Sequence, residues 1–182
     1  MSKVPSQQLR IIGGQWRSRR LRFQPHDGLR PTLDRVRETL FNWLQHHIEG
    51  ARVLDAFAGS GALGMESLSR GAKEVIFLEK NPKVALQLRD NLKTLEARNA
   101  QVWAGDALLW LKDNQQTFDI ILLDPPFNKD LLQPAIDALT TETDTLVYIE
   151  HEASLEPTFP DNWHEIKSKK TKEFLFRLFV VE

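Results

Sequence analysis

Between residues 52 and 150 the chain alternates short, near-continuously apolar runs with stretches of helix length, and this alternation constrains the fold more than any other feature. The runs are Arg52–Phe57, Glu74–Glu79, Gln101–Gly105, Phe118–Asp124 and Thr145–Glu150. A strand such as Ile120-Ile121-Leu122-Leu123 has no polar face, so both sides of the sheet it joins must be covered. The segments between supply the cover: a helix from about Gly61 to Arg70, one over Val84–Leu95, a short one, and one carrying Leu132, Ile136 and Leu139. An α/β fold follows, a doubly wound and mostly parallel sheet.

The two ends depart from this pattern. His164–Lys172 and Phe174–Val181 leave no room for a helix between them, which predicts an antiparallel C-terminal hairpin at the sheet edge. Near the start, Leu9–Phe23 holds two β-prone runs around Gly13-Gly14, read as a small hairpin turning at the glycines. A helix then follows Pro31-Thr32, with Thr32 as its N-cap, Leu33, Val36, Leu40, Trp43, Leu44 and Ile48 as its apolar stripe, and Gly50 as its stop. At 182 residues the chain suits one domain with an appendage, divided as a basic extension over 1–30 and a main domain over 31–182.

Charge is distributed in the same way. Residues 1–38 carry nine Lys/Arg against three Asp/Glu, residues 39–166 ten against twenty, and residues 167–182 five against two. A basic head and tail on an acidic body suggest a polyanion-binding surface joined to a part that binds something else. The absence of cysteine excludes disulfides, thiolate metal sites and thiol nucleophiles. No run approaches the ~20 apolar residues of a membrane span, and Met1-Ser2-Lys3-Val4-Pro5 lacks the apolar core of a signal peptide, so a cytoplasmic protein is expected.

Acids recur at the carboxyl ends of the strands: Asp55, Glu79, Asp106 and Asp124. One such acid is ordinarily a helix N-cap, but four on one sheet edge mark the place where open α/β sheets bind ligands. Asp55-Ala56-Phe57-Ala58-Gly59-Ser60-Gly61-Ala62-Leu63-Gly64 matches the glycine spacing of dinucleotide sites, with Glu79 placed for a ribose. Asp55 is nevertheless adverse to a pyrophosphate. S-adenosylmethionine fits better, having ribose, adenine, ammonium and sulfonium groups and no phosphate. Glu79 then accepts from the ribose hydroxyls and Asp106 from the adenine amine, with Asp55, Phe57, Ala58, Gly59, Ser60, Gly61, Lys80 and Ala107 completing the cofactor site.

The second motif is Asp124-Pro125-Pro126-Phe127. Successive prolines extend neither strand nor helix, so the loop is rigid and the Asp124 carboxylate and Pro125 carbonyl become fixed acceptors for the two hydrogens of an exocyclic amine. Holding those hydrogens localises the nitrogen lone pair for attack on a methyl group, while Phe127 stacks on a base that has left its own stack.

The pairing of these two motifs resembles Rossmann-like methyltransferases acting on exocyclic amino nitrogens. More closely, Arg10-Ile11-Ile12-Gly13-Gly14-Gln15-Trp16-Arg17, Leu29-Arg30-Pro31-Thr32 with Asp34-Arg35-Val36-Arg37-Glu38-Thr39-Leu40-Phe41, and Tyr148-Ile149-Glu150-His151-Glu152 resemble the bacterial small-subunit (16S) ribosomal RNA guanine-N2 methyltransferases. The resemblance spans nearly the whole chain. It implies a seven-stranded sheet, an S-adenosylmethionine cofactor, and methylation of one guanine in 16S ribosomal RNA within an assembled or nearly assembled 30S particle.

In the head, Arg10, Arg17, Arg19, Arg20, Arg22 and Arg30 suit phosphate contacts, with Trp16 and Phe23 available for stacking. Arg35 and Arg37 face either the cofactor carboxylate or RNA, and spacing does not decide. Lys167, Lys169, Lys170 and Lys172 extend the basic surface or guard an edge strand. The histidines show no metal-ligand spacing and are read as structural, His46 and His47 on a helix; His151 is read as surface or satisfied rather than touching the base. No metal is expected, and the chain is expected to be a monomer. The same amine grip would serve an N6-adenine methyltransferase; a nicotinamide oxidoreductase and a non-catalytic RNA-binding assembly factor are remoter readings.

Overall fold

The structure, a computed structural model, describes residues 7–23 and 33–182. Arg30, His26, the Thr32 cap and the predicted 30/31 boundary lie outside the described residues. Strands β1 (Gln7–Arg10) and β2 (Arg20–Phe23) and helix α1 (Asp34–Trp43) precede the alternating body, which runs β3 (Arg52–Asp55), α2 (Ala62–Ser69), β4 (Glu74–Glu79), α3 (Pro82–Thr94), β5 (Ala100–Ala104), α4 (Ala107–Asp113), β6 (Ile120–Leu123), α5 (Leu132–Ala138) and β7 (Leu146–Glu152). The chain ends in β8 (Trp163–Lys170) and β9 (Phe174–Val181).

The seven-stranded sheet has the order β5-β4-β3-β6-β7-β9-β8. Strands β5 to β7 are mutually parallel, whereas β9 runs antiparallel to both β7 and β8. Two apolar layers follow from strand parity. Val53, Phe77, Leu122 and Tyr148 pack with α1, α2 and α3 on one face; Leu54, Leu78, Leu123 and Ile149 pack with α4 and α5 on the other. All four residues of β6 are buried, as a strand covered on both faces requires. Each fully buried Phe or Leu in these layers contributes about 1.5–3 kcal/mol. At the opposite extreme, β8 is the edge strand, exposed after Trp163, and its Lys167, Lys169 and Lys170 discourage pairing with a second sheet.

Local chemistry sets the element ends. Asn81 caps α3, its side-chain oxygen accepting from the Lys83 and Val84 N–H groups, with Pro82 at the first helical position. Helix α1 begins at Asp34, with Leu33 rather than Thr32 at the N-cap and no side-chain capping bond, and it stops at Trp43 rather than near Gly50. His46 and His47 therefore stand beyond the helix, in exposed turns. Among the described residues no helix is long and apolar enough to cross a membrane.

The head forms its hairpin, but not around the glycines. Gln7–Arg10 pairs with Arg20–Phe23, and residues 11–19 make the connection. Gly14, at φ +74°, lies so close to the end of α2 that a Cβ there would sit 1.8 Å from the Ser69 carbonyl oxygen. The Ser69 hydroxyl donates to the Gly13 carbonyl at 2.6 Å and accepts from the Trp16 N–H at 3.0 Å, while the Gln15 N–H donates to the Ser69 carbonyl at 2.7 Å. The glycines thus seat the connection on the main sheet's helix layer. Leu9, Ile11, Leu21 and Phe23 belong to the same apolar cluster as α1, α2 and α3.

Candidate active site

Strand β3 lies at the point where the chain reverses its direction of winding: it proceeds outward to β4 and β5, then returns to β6 and β7 on the other side. Loops diverge at such a point and leave a crevice at the carboxyl edge. Across that edge the acids stand in spatial order Asp106, Glu79, Asp55, Asp124 and Glu150. A cleft of ≈ 740 Å³ opens over them.

The turn after β3 is stitched to both neighbouring strands. The Ala56 N–H donates to the Leu122 carbonyl at 3.1 Å and the Ala58 N–H to the Leu78 carbonyl at 2.9 Å. Glu79 Oε2 accepts from the Gly59 N–H at 2.8 Å and Oε1 from the Asn81 N–H at 2.7 Å. Each carboxylate oxygen retains acceptor capacity toward the cleft. The three glycines have separate duties. Gly59 lines the cleft. Gly61, at φ +79°, starts α2 in a left-handed conformation, and a Cβ there would lie 2.4 Å from Leu88 Cδ1. Gly64 lets the helix approach β4, where a Cβ would meet the Phe77 ring at 2.1 Å. Gly61 therefore has a packing duty of its own against Leu88, beside the turn residues Ala58, Gly59 and Ser60 that line the cleft.

Asp55 is buried, and its Oδ2 accepts from the Gly64 N–H at 3.0 Å, capping a helix whose N-cap glycine has no side chain to do so. Burial is the largest influence on its carboxyl, which is pushed up to about 7; Asp124 and Glu79 raise it further against the opposing Gly64 bond. Asp106 caps α4, its Oδ1 accepting from Leu108 N–H at 2.9 Å and Leu109 N–H at 3.3 Å. Its Oδ2 pairs with Lys80 Nζ at 3.3 Å, and despite partial burial these contacts hold its carboxyl below the usual value. The capping role and a place in the cleft coexist at this residue.

Asp124, Pro125, Pro126 and Phe127 all line the cleft, as do Asp55, Phe57, Ala58, Gly59, Ser60, Glu79, Lys80, Asp106 and Ala107. Phe127 leans on Phe174 with ring centroids 6.2 Å apart. The chain then reverses through Asn128 and Asp130, both at positive φ, and the Asn128 N–H donates to the Glu152 carboxylate. Sequence reasoning missed Glu150, a 4% exposed carboxylate that lines the cleft and accepts from the Tyr148 hydroxyl at 3.2 Å. The signal was there: an acid at the end of an apolar strand, in the same phase as Asp124. Lys129 and the apolar Leu78, Leu108 and Leu131 complete the wall.

The head presents Arg10, Arg17, Arg19, Arg20 and Arg22 to solvent. Alternation in β2 aims Arg20 and Arg22 outward and Leu21 and Phe23 inward. Phe23 is therefore core rather than a stacking platform, and Trp16 is half-buried against the same cluster. Arg10 pairs with Asp34 at 3.2 Å, and an Arg19 guanidinium nitrogen donates to the Thr94 carbonyl at 3.0 Å. Arg37 points into the fold and does not line the cleft. It is 1% exposed, bonded to Asp34 Oδ1 at 2.6 Å and the Arg10 carbonyl at 2.8 Å, and lies 3.5 Å from Glu66. Glu66, fully buried, also accepts from the Ile12 and Gly13 N–H groups at 2.9 and 2.8 Å and from Arg70 at 2.9 Å. His151 is buried, with Nδ1 2.9 Å from the Glu152 carbonyl oxygen, and does not line the cleft. Among the described residues no cluster of His and acids could hold a metal ion.

A doubly wound sheet with an acid-lined, glycine-turned cleft at its switch point, closed by an antiparallel hairpin, defines a Rossmann-like fold of the methyltransferase type. Residues 9–180 match the family described as Conserved hypothetical protein 95, and the chain belongs to that family. A relative from Haemophilus influenzae, named ribosomal RNA small subunit methyltransferase D, is 45% identical over 180 residues, 94% of this chain and 93% of its own length. The Escherichia coli K12 protein of the same name is 45% identical over 179 residues, 96% of this chain and 90% of its own. The solved structure of yhhF from Escherichia coli, 45% identical, superposes with a TM-score of 0.87 over 97% of this chain and 99% of that one.

Proposed function

We propose that this chain transfers a methyl group from S-adenosylmethionine to the exocyclic N2 amine of one guanine in small-subunit ribosomal RNA, within an assembled or nearly assembled 30S particle. The observation that carries the reading is the adjacency, on one sheet edge, of a cofactor-sized acidic crevice and the rigid Asp124-Pro125-Pro126-Phe127 loop. The names of the relatives support the RNA substrate.

The donor set suits the cofactor. Asp55, Glu79 and Asp106 offer acceptors for an ammonium, ribose hydroxyls and an adenine amine, and of the lysines lining the cleft Lys80 is paired with Asp106. A pyrophosphate would meet three carboxylates there. The bound cofactor supplies an electrophilic methyl on a sulfonium. Asp124 and the Pro125 carbonyl accept hydrogen bonds from the two amine N–H groups and fix the direction of the nitrogen lone pair; Phe127, braced by Phe174, holds the plane of the base. Ala58, Leu63, Leu78 and Leu108 exclude water from the reacting groups. Residues 1–30 act as the RNA-holding extension of a methyltransferase domain over 31–182.

Small-subunit RNA from cells with and without this gene, digested to nucleosides, tests the proposal: one N2-methylguanosine should vanish in its absence. Loss of N6-methyladenosine instead would replace the substrate base, and an unchanged nucleoside profile would remove the proposal.

A further inference from the structure

The cleft has two sides. Asp106 follows β5, and Glu79 and Asp55 end β4 and β3, the side of the glycine turn; Asp124 marks the boundary, and only β7 lies beyond it at this edge before the antiparallel hairpin. The pairing of Leu122 with Tyr148 and Leu123 with Ile149 puts Asp124 and Glu150 at the next positions along two adjacent strands, and both line the cleft. Parity puts both on the face occupied by Leu122 and Tyr148. The Tyr148 hydroxyl, fully buried, holds Glu150 Oε2 at 3.2 Å. Burial foremost, with the Glu150 charge next, keeps that phenol protonated far above its ordinary range, so it remains a donor.

We infer that Glu150 selects guanine, its buried carboxylate accepting the N1–H that lies beside the amine held by Asp124. The inference rests on the guanine-N2 reading above. Guanine presents two adjacent donors on this edge, N2–H and N1–H, and two adjacent carboxylates complement them. Adenine presents an amine beside an N1 lone pair, which would face the carboxylate with nothing to share. Tyr148 is the positioning residue: its hydroxyl donates to one carboxylate oxygen and fixes the orientation of the group.

The test compares RNA carrying guanine or 2-aminopurine at the mapped target. 2-Aminopurine keeps the exocyclic amine and replaces N1–H with a lone pair. The native chain should favour guanine by about 100-fold or more in kcat/KM, as sites built around a substrate donor do. In Glu150→Gln the carboxamide can donate to the lone pair, so the preference should fall at least about tenfold, with cofactor affinity as the control for folding. Tyr148→Phe should narrow it less, through loss of positioning. Equal use of the two bases by the native chain overturns the inference without any variant, and so does an undiminished preference in folded Glu150→Gln. A chain that labels no guanine at all overturns the guanine-N2 reading first, and this inference with it.

Discussion

The backbone N–H of Gly59 donates to Glu79 Oε2 at 2.8 Å, so the acid that ends β4 holds the turn that follows β3. The turn and the proposed ribose acceptor are one unit, fixed before any ligand arrives. Glu79→Ala should therefore act twice, removing an acceptor and loosening the turn. Each charged hydrogen bond is worth about 1.5–3 kcal/mol, which predicts cofactor affinity weaker by roughly 10- to 100-fold. Turnover at saturating cofactor should change little. Titration calorimetry with S-adenosylmethionine checks this; undiminished affinity would take Glu79 out of the site.

Asp124→Ala should do the reverse. Removing one fixed acceptor for the amine should lower the single-turnover rate by about 100- to 1,000-fold, while cofactor affinity stays close to that of the native chain. Native turnover in the variant would end the amine-gripping mechanism.

The buried Asp55 gives a pH signature. Its carboxyl titrates near 7 in the folded chain against 3.8 ordinarily, so the folded chain retains a proton that the unfolded chain has lost. Stability should consequently fall as pH rises from about 4 to about 7 and level off above, by roughly 4 kcal/mol at most from this group. A cationic ligand favours the charged carboxylate, so S-adenosylmethionine affinity should rise with pH over the upper part of the same window. Asp55→Asn should flatten both trends, read by urea denaturation and calorimetry at pH 5 and 7.5. Parallel slopes in variant and native chain would contradict the assignment.

Arg17, Arg19 and Arg20 are exposed on the head. If they meet phosphates, neutralising all three should reduce the slope of log affinity against log salt by about 2 to 3. An unchanged slope would remove them from the RNA interface.

Glu66 ties this head to the helix that starts at the cofactor turn. Glu66→Ala removes one of the two carboxylates beside the buried Arg37, unpairs Arg70 and frees the Ile12 and Gly13 N–H groups, a loss of about 3–5 kcal/mol by denaturant unfolding. A loss under about 1 kcal/mol would mean the head is held by its apolar contacts alone.

Repetitive features were legible from the chain. The period-two and continuous apolar runs placed β4 and β9 to the residue, and the glycine and proline motifs placed the cleft. What escaped depends on partners distant in sequence. Gly13-Gly14 has a turn signature, yet its conformation answers to Ser69 across the fold. Arg37 sits on the apolar stripe of α1, between Val36 and Leu40, which marks it as inward-facing; Asp34, the Arg10 carbonyl and the distant Glu66 together explain how a cation survives there. Glu150 hid inside a buried strand because one chain does not reveal which strand lies beside Asp124.

Methyl transfer from labelled S-adenosylmethionine to small ribosomal subunits from cells lacking this chain, followed by digestion to nucleosides, tests the central claim most directly. The account predicts label in N2-methylguanosine and its loss with Asp124→Ala. Label in another nucleoside, or transfer that survives the loss of Asp124, would contradict it.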